Sequence, residues 1–106
     1  MDLGIDGDAA LVTAGTAGLG LASAEALARA GCDVAVCGRD EDRLSRAEAR
    51  LETTGDGDVL GVSADITEHD EIEGFVGKTI QSFGGLDHVV TSAEGGPPAQ
   101  IGRAHV

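Results

Sequence analysis

A glycine-rich stretch between an apolar run and a helical pattern is the part of the sequence best suited to chemistry. The apolar run, Ala9 to Ala14, is typical of a strand buried on both faces. Glycines let the backbone approach a ligand closely, and the free N–H groups that open a helix attract an anion. A dinucleotide pyrophosphate suits this turn, and its candidate binding residues are Thr13, Ala14, Gly15, Thr16, Gly18, Leu19 and Gly20. A plain tight turn from strand to helix is the simpler alternative.

The residues that follow the second predicted strand indicate which dinucleotide is bound. In a dinucleotide-binding sheet the end of this strand lies beside the adenosine ribose, where a carboxylate selects NAD. This sequence has Gly38 and Arg39 there. A guanidinium pairs with the additional phosphate of NADP, and the missing carboxylate removes a repulsion. The pattern favours NADP over NAD, unless Arg39 is a surface residue that pairs with Asp40 or Glu41.

Strands and helices alternate along the chain, as they do in folds built on a parallel sheet. Strands are predicted at 9–14, around Val34 and Val36, at 59–62 and at 86–92. The first predicted helix has apolar or small residues at helical spacing: Leu19, Ala22, Ser23, Ala26, Leu27 and Ala30. A second helix covers 41–53, and a third follows a capping pair, Thr67 and Asp70, and ends at Phe83. Right-handed crossovers predict a doubly wound parallel sheet of order 3-2-1-4, with two helices on one face and the third on the other.

The glycine loop resembles that of the short-chain dehydrogenase/reductase family. Thr13, Gly18 and Gly20 match the family pattern Thr-Gly-x-x-x-Gly-x-Gly, and Ala14 stands where the first glycine is usual. Family members with an arginine at the position of Arg39 usually prefer NADP.

Three later segments extend the resemblance. Asp65 and Ile66 resemble the family's Asp-Val pair, which contacts the adenine, and residues 86–90 (LDHVV) resemble its fourth strand. Residues 91–94 (TSAE) occupy the place of its Asn-Asn-Ala-Gly, which touches the cofactor ribose. The resemblance therefore adds Asp65, Ile66, Ser92 and Ala93 to the cofactor site.

The resemblance implies a Rossmann-type α/β fold and hydride transfer between NADP(H) and a carbonyl or alcohol. In the family a Tyr is the general acid/base, assisted by a Lys four residues later and by a Ser, all beyond the fourth strand. This sequence has no tyrosine, and its one lysine, Lys78, lies in the third predicted helix. We therefore expect an amino-terminal, cofactor-binding portion of such an enzyme, with three helices, truncated after the fourth strand and inactive alone.

The last seven residues, 100–106 (QIGRAHV), fit no predicted strand or helix. Their sequence resembles the translation of a common sequencing adapter. We expect residues 1–99 to form the NADP-binding half-domain and residues 100–106 to be a non-native tail.

Acidic residues dominate the charge, since 19 Asp and Glu against 7 Lys and Arg give a net charge of −12. Such a surface repels nucleic acid and anionic membranes. With lysine so scarce, adaptation to high salt is favoured over an ordinary acidic protein. Two isolated cysteines and the lack of a signal peptide or long apolar run predict a cytoplasmic protein with reduced thiols and no metal site. We expect the intact protein to be a homo-oligomer, and this chain to self-associate through uncovered sheet surface.

Two other functions remain open. A methyltransferase-type protein that binds S-adenosylmethionine also has a glycine loop after its first strand, but it needs an acid where Gly38 and Arg39 stand. A non-catalytic nucleotide-binding module would carry the same motifs. A P-loop is excluded because the sequence has no Gly-Lys-Ser/Thr.

Overall fold

The computed structural model describes residues 6–13, 18–91 and 99–102. Its elements are β1 (Ala9–Val12), α1 (Gly18–Arg29), β2 (Asp33–Gly38), α2 (Glu41–Thr54), β3 (Val59–Ser63), α3 (His69–Phe83), β4 (His88–Thr91) and β5 (Ala99–Gly102). Strands and helices alternate from β1 to β4, as the sequence predicts. Within the described ranges, no helix is long and apolar enough to cross a membrane.

The strands form one sheet in the order β3-β2-β1-β4-β5. The first four strands of this order are parallel, with Leu11 of β1 level with Ala35 of β2 on one side and with Val89 of β4 on the other. The predicted order 3-2-1-4 and the Rossmann-type α/β class are therefore confirmed. Strand β1 lies between β2 and β4, where the direction of winding reverses.

Two apolar clusters cover the two faces of the sheet. Ala10 and Val12 of β1 belong to the cluster that contains residues of α1 and α2. Leu11, whose side chain points the opposite way, belongs to the cluster built around Phe75 of α3. The predicted distribution of helices, with α1 and α2 on one face and α3 on the other, is confirmed.

Helix α1 buries a different face from the one its apolar pattern predicts. Leu19 is 57% exposed, and Ala22 and Ala26 are also exposed. The buried residues are Gly20, Ala24, Glu25 and Ala28. Because alanine and leucine occur on every side of this helix, periodicity alone does not fix its rotation. The small residues spaced four apart face the sheet instead, which lets the helix approach it closely.

Thr67 and Asp70 do not form the predicted capping pair of α3. Glu68 is the N-cap residue and its side chain makes no capping hydrogen bond. The hydroxyl of Thr67 instead donates a hydrogen bond to Asp65 Oδ1 at 2.7 Å. At the other end, Gly84 has a φ of 80° and ends the helix, in agreement with the sequence.

Strand β5 is a departure from the prediction that the end of the chain is irregular. Residues 99–102 pair antiparallel with β4, with a shift of register between Val89 and Val90. Truncation after the fourth strand predicts that β4 is an open edge of the sheet, and this expectation is wrong. An edge strand offers unpaired N–H and C=O groups, and any extended segment can satisfy them with its backbone. The non-native origin of residues 100–106 stays a prediction.

A pair of glycine substitutions tests the packing of α1 against the end of α2. At Gly55 an added Cβ would overlap the carbonyl oxygen of Ala28, whereas at Gly77 it would meet nothing. We expect Gly55→Ala to lower the free energy of unfolding by about 1–3 kcal/mol through overpacking. Gly77→Ala, in the middle of α3, should raise it by about 0.5–1 kcal/mol. Urea denaturation followed by circular dichroism measures both, and equal effects of the two variants would contradict this packing.

Candidate functional site

The carboxyl ends of the four parallel strands meet at one edge of the sheet, which we call the carboxyl edge. Thr13, Gly38, Ser63 and Thr91 lie at or directly after the ends of β1 to β4. The N–H of Thr13 donates to the carbonyl oxygen of Val90 at 3.0 Å, so the segment leaving β1 is fixed against β4. Ligands of open α/β sheets bind beyond this edge, where the strand order reverses.

The start of α1 at this edge is suited to an anion. Gly18 opens the helix with a φ of 59°, a conformation that side-chain-bearing residues rarely adopt. Gly20 is buried within the first turn. This turn contains no acidic residue, whereas α2 and α3 each have two. The partial positive charge at the start of α1 is therefore not neutralised by a carboxylate of its own first turn.

Five of the predicted cofactor residues, Ala14, Gly15, Thr16, Ser92 and Ala93, lie outside the described residues. Their contacts with a ligand stay predictions. Thr13 directly follows β1, Gly18 and Gly20 belong to the first turn of α1, and the exposed Leu19 lies between the two glycines.

Arg39 lies directly after β2 at the carboxyl edge. Its side chain is 75% exposed, and its Nη1 is 3.8 Å from Asp65 Oδ2. The neighbouring Asp40 caps α2, since its Oδ1 accepts hydrogen bonds from the N–H groups of Asp42 and Arg43 at 3.0 and 3.2 Å. Arg39 therefore pairs with Asp65, and not with Asp40 or Glu41 as the alternative interpretation has it.

Asp65 is held by three hydrogen bonds in the loop between β3 and α3. Its Oδ1 accepts from the N–H of Thr67 at 2.9 Å and from the hydroxyl of Thr67 at 2.7 Å. Its own N–H donates to Glu71 Oε1 at 2.9 Å. The Thr67 hydroxyl, then the Thr67 N–H and finally the charge of Arg39 lower the pKa of Asp65 below its usual value. Asp65 is therefore a fixed anion beside Arg39 at neutral pH.

Ile66 and Thr67 have roles that the sequence did not reveal. The half-buried side chain of Ile66 packs against the apolar cluster around Phe75, so it supports the loop. Thr67 and Glu71 hold Asp65 in place, although neither was predicted as part of the site. The spacing Asp-x-Thr is typical of a turn in which the aspartate accepts from the backbone two residues later, and this signal could have identified Thr67.

A groove of about 770 Å³ lies at the opposite edge of the sheet, between the ends of α1 and α2. Asp6, Asp33, Glu52 and Asp56 contribute to its walls, together with Arg29. This excess of carboxylates opposes binding of a pyrophosphate. Among the residues that the structure describes, no group of three His, Cys, Asp or Glu could hold a metal ion.

The sheet order, the glycine at the start of α1 and the charged pair at the carboxyl edge define a dinucleotide-binding α/β protein. A sequence model of the short chain dehydrogenase family matches residues 8–104. The chain therefore belongs to the short-chain dehydrogenase/reductase family, and it corresponds to the amino-terminal region of these oxidoreductases.

Individual relatives agree with this assignment. The short chain dehydrogenase/reductase dpmpG of Macrophomina phaseolina is 37% identical over 87 residues, which cover 82% of this chain and 50% of the relative. Glucose 1-dehydrogenase of Gluconobacter oxydans is 34% identical over 87 residues, covering 82% of this chain and 33% of the relative. The crystal structure of L-sorbose reductase from Gluconobacter frateurii, complexed with NADPH and L-sorbose, superposes with a TM-score of 0.83 at 35% identity over 88% of this chain and 35% of that one. The chain thus spans between a third and a half of the length of these proteins.

Replacing Thr67 tests the cause of the lowered pKa of Asp65. Thr67→Val removes the hydroxyl bond, so the pKa of Asp65 should rise toward its usual value, as measured by a ¹³C NMR titration of the carboxyl group. A depressed pKa gives stability that is present above the unfolded-state pKa and lost as the pH falls through the folded-state pKa. The variant should therefore show a smaller loss of stability over this acidic range.

Thr53→Val is the matched control, because the Thr53 hydroxyl donates to the carbonyl of Arg50 at the end of α2. It should leave the titration of Asp65 unchanged. An Asp65 pKa that is the same in wild type and Thr67→Val would show that the hydroxyl is not the dominant cause.

Proposed function

We propose that this chain is the NADP-binding part of an oxidoreductase that transfers hydride between NADP(H) and a carbonyl or alcohol substrate. The observation that carries the choice of cofactor is the position of Arg39. It follows β2, the neighbour of β1, directly at the carboxyl edge, and its guanidinium is largely exposed. Gly38 before it brings no carboxylate to repel the additional phosphate of NADP.

The described residues fit such a cofactor. Gly18 adopts a left-handed conformation where α1 begins, and the first turn of α1 lacks acidic residues, which suits the pyrophosphate. Arg39 would hold the phosphate on the adenosine ribose, and Asp65 would lie near the adenine. When bound, the nicotinamide of the cofactor supplies the hydride or accepts it. The crystallised L-sorbose reductase that this chain resembles holds NADPH, which supports the proposal.

We propose that the proton-transfer residues of the intact enzyme lie outside these 106 residues. The family's reaction uses a tyrosine, and this sequence contains none. Lys78, its one lysine, is exposed on α3 and is not at the carboxyl edge. The chain's own contribution is then to bind and orient the cofactor.

The cytoplasmic location of the protein and its adaptation to high salt are also proposals. Cys32 and Cys37 are buried and are not joined by a disulfide bond, and burial, with a smaller effect of Asp8, raises the pKa of Cys32 to about 11. A buried thiol that stays protonated, as that of Cys32 does, is compatible with a cytoplasmic protein. The net charge of −12 supports adaptation to high salt, which screens repulsion among carboxylates. We also propose that the intact protein is a homo-oligomer and that this chain self-associates.

Removing the guanidinium tests the choice of cofactor. Arg39→Ala should weaken the binding of NADPH by about 1.5–3 kcal/mol, the worth of a hydrogen bond to a charged group, and leave the binding of NADH nearly unchanged. Arg39→Asp should go further and favour NADH, because its carboxylate repels the phosphate. Isothermal titration calorimetry with each nucleotide gives the two affinities.

Arg46→Ala is the control because it removes the same positive charge at a position within α2. There the Arg46 side chain donates to the carbonyl oxygen of Asp42. It should alter neither preference. If Arg39→Ala weakened NADPH and NADH equally, the role of Arg39 would be refuted. Binding of S-adenosylmethionine in preference to both would favour the methyltransferase-type alternative.

A further inference from the structure

The two carboxylate oxygens of Asp65 have different neighbours. Oδ1 accepts both the N–H and the hydroxyl of Thr67. Oδ2 lies 3.8 Å from Nη1 of Arg39. The bond from the N–H of Asp65 to Glu71 Oε1 fixes the backbone at the same place. The negative charge of Asp65 is therefore held in position by its own loop, whether or not Arg39 is beside it.

The contact between Asp65 and Arg39 is electrostatic and does not orient the guanidinium. A separation of 3.8 Å exceeds the length of a hydrogen bond. Because Thr67 occupies Oδ1, the carboxylate cannot offer both oxygens to the fork of the guanidinium. Arg39 is also 75% exposed, so its donors remain accessible to a ligand from solvent.

We propose that Asp65 is a specificity-determining residue that weakens the preference of this site for a 2′-phosphate over a 2′-hydroxyl. The inference rests on the proposed function, because it assumes that Arg39 receives the adenosine ribose. A phosphate bound by Arg39 would lie close to the Asp65 carboxylate and be repelled by it. A neutral 2′-hydroxyl is not repelled in this way. Arg39 thus favours NADP, Asp65 opposes it, and the chain binds both dinucleotides with a moderate preference.

The size of the effect follows from the exposure of the pair. Coulombic interactions between exposed charged groups are screened and typically change an equilibrium by a factor of about 1.5–5. Neutralising Asp65 should therefore raise the ratio of the two affinities by about 2- to 5-fold. Screening predicts a smaller rise in concentrated salt.

The test uses the full chain and two small nucleotides, adenosine 2′,5′-bisphosphate and adenosine 5′-monophosphate. They differ only in the 2′-phosphate, so any contact of Asp65 with the adenine cancels in the ratio of their dissociation constants. Asp65→Asn keeps an oxygen that can accept from Thr67 and removes the charge. Asp70→Asn, at an exposed position in the first turn of α3, makes the same change of charge and is the control.

We expect Asp65→Asn to raise the preference for the bisphosphate 2- to 5-fold and Asp70→Asn to leave it unchanged. The rise should persist when Asp65→Asn is combined with Arg39→Ala, because the repulsion acts on the phosphate directly. A preference that is unchanged or lowered by Asp65→Asn, or a rise that requires Arg39, would overturn the inference. A wild-type chain that binds neither nucleotide would contradict the proposed function, and the inference with it.

Discussion

Strand β1 is hydrogen-bonded to a parallel neighbour on each side, and its residues 9–12 are all buried. A strand in this position shields its backbone with β2 and β4 and its side chains with helices on both faces. Ala10 and Val12 require the layer of α1 and α2, and Leu11 requires α3. Because parallel neighbours cannot be joined by a tight hairpin, the connections must be long enough to contain these helices. The layers of the fold therefore follow from the burial of one short strand.

Because β1 is buried, polar and charged side chains are confined to the two ends of the strands. Their roles differ between these two edges of the sheet. At the opposite edge, where the parallel strands begin, carboxylates hold the fold together: Asp87 accepts from the N–H of Ala9 at 2.9 Å, and Asp8 pairs with His88 at 2.8 Å. At the carboxyl edge, the start of α1 and the guanidinium of Arg39 bring positive charge. Although the chain is strongly acidic, this region attracts an anionic cofactor.

The sequence was sufficient for the parts of the fold that depend on strong periodicity or on a glycine. It predicted the sheet order, a helix over residues 41–53, and the end of the third helix at Phe83. The rotation of α1 about its axis was missed because small residues, Gly20 and several alanines, lie on every side of this helix. The pairing of Arg39 with Asp65 was missed because it joins the ends of two neighbouring strands, and only the relative register of β2 and β3 brings them together.

We expect a dinucleotide to bind beyond the carboxyl edge, at the point where the strand order reverses on either side of β1. Titration of the ¹⁵N-labelled chain with NADPH, followed by amide chemical shifts, locates the binding site. The perturbed amides should cluster at Thr13, Gly18 to Gly20, Arg39 and Asp65. Perturbations confined to the acidic groove at the opposite edge, around Gly31 and residues 55–57, would contradict it.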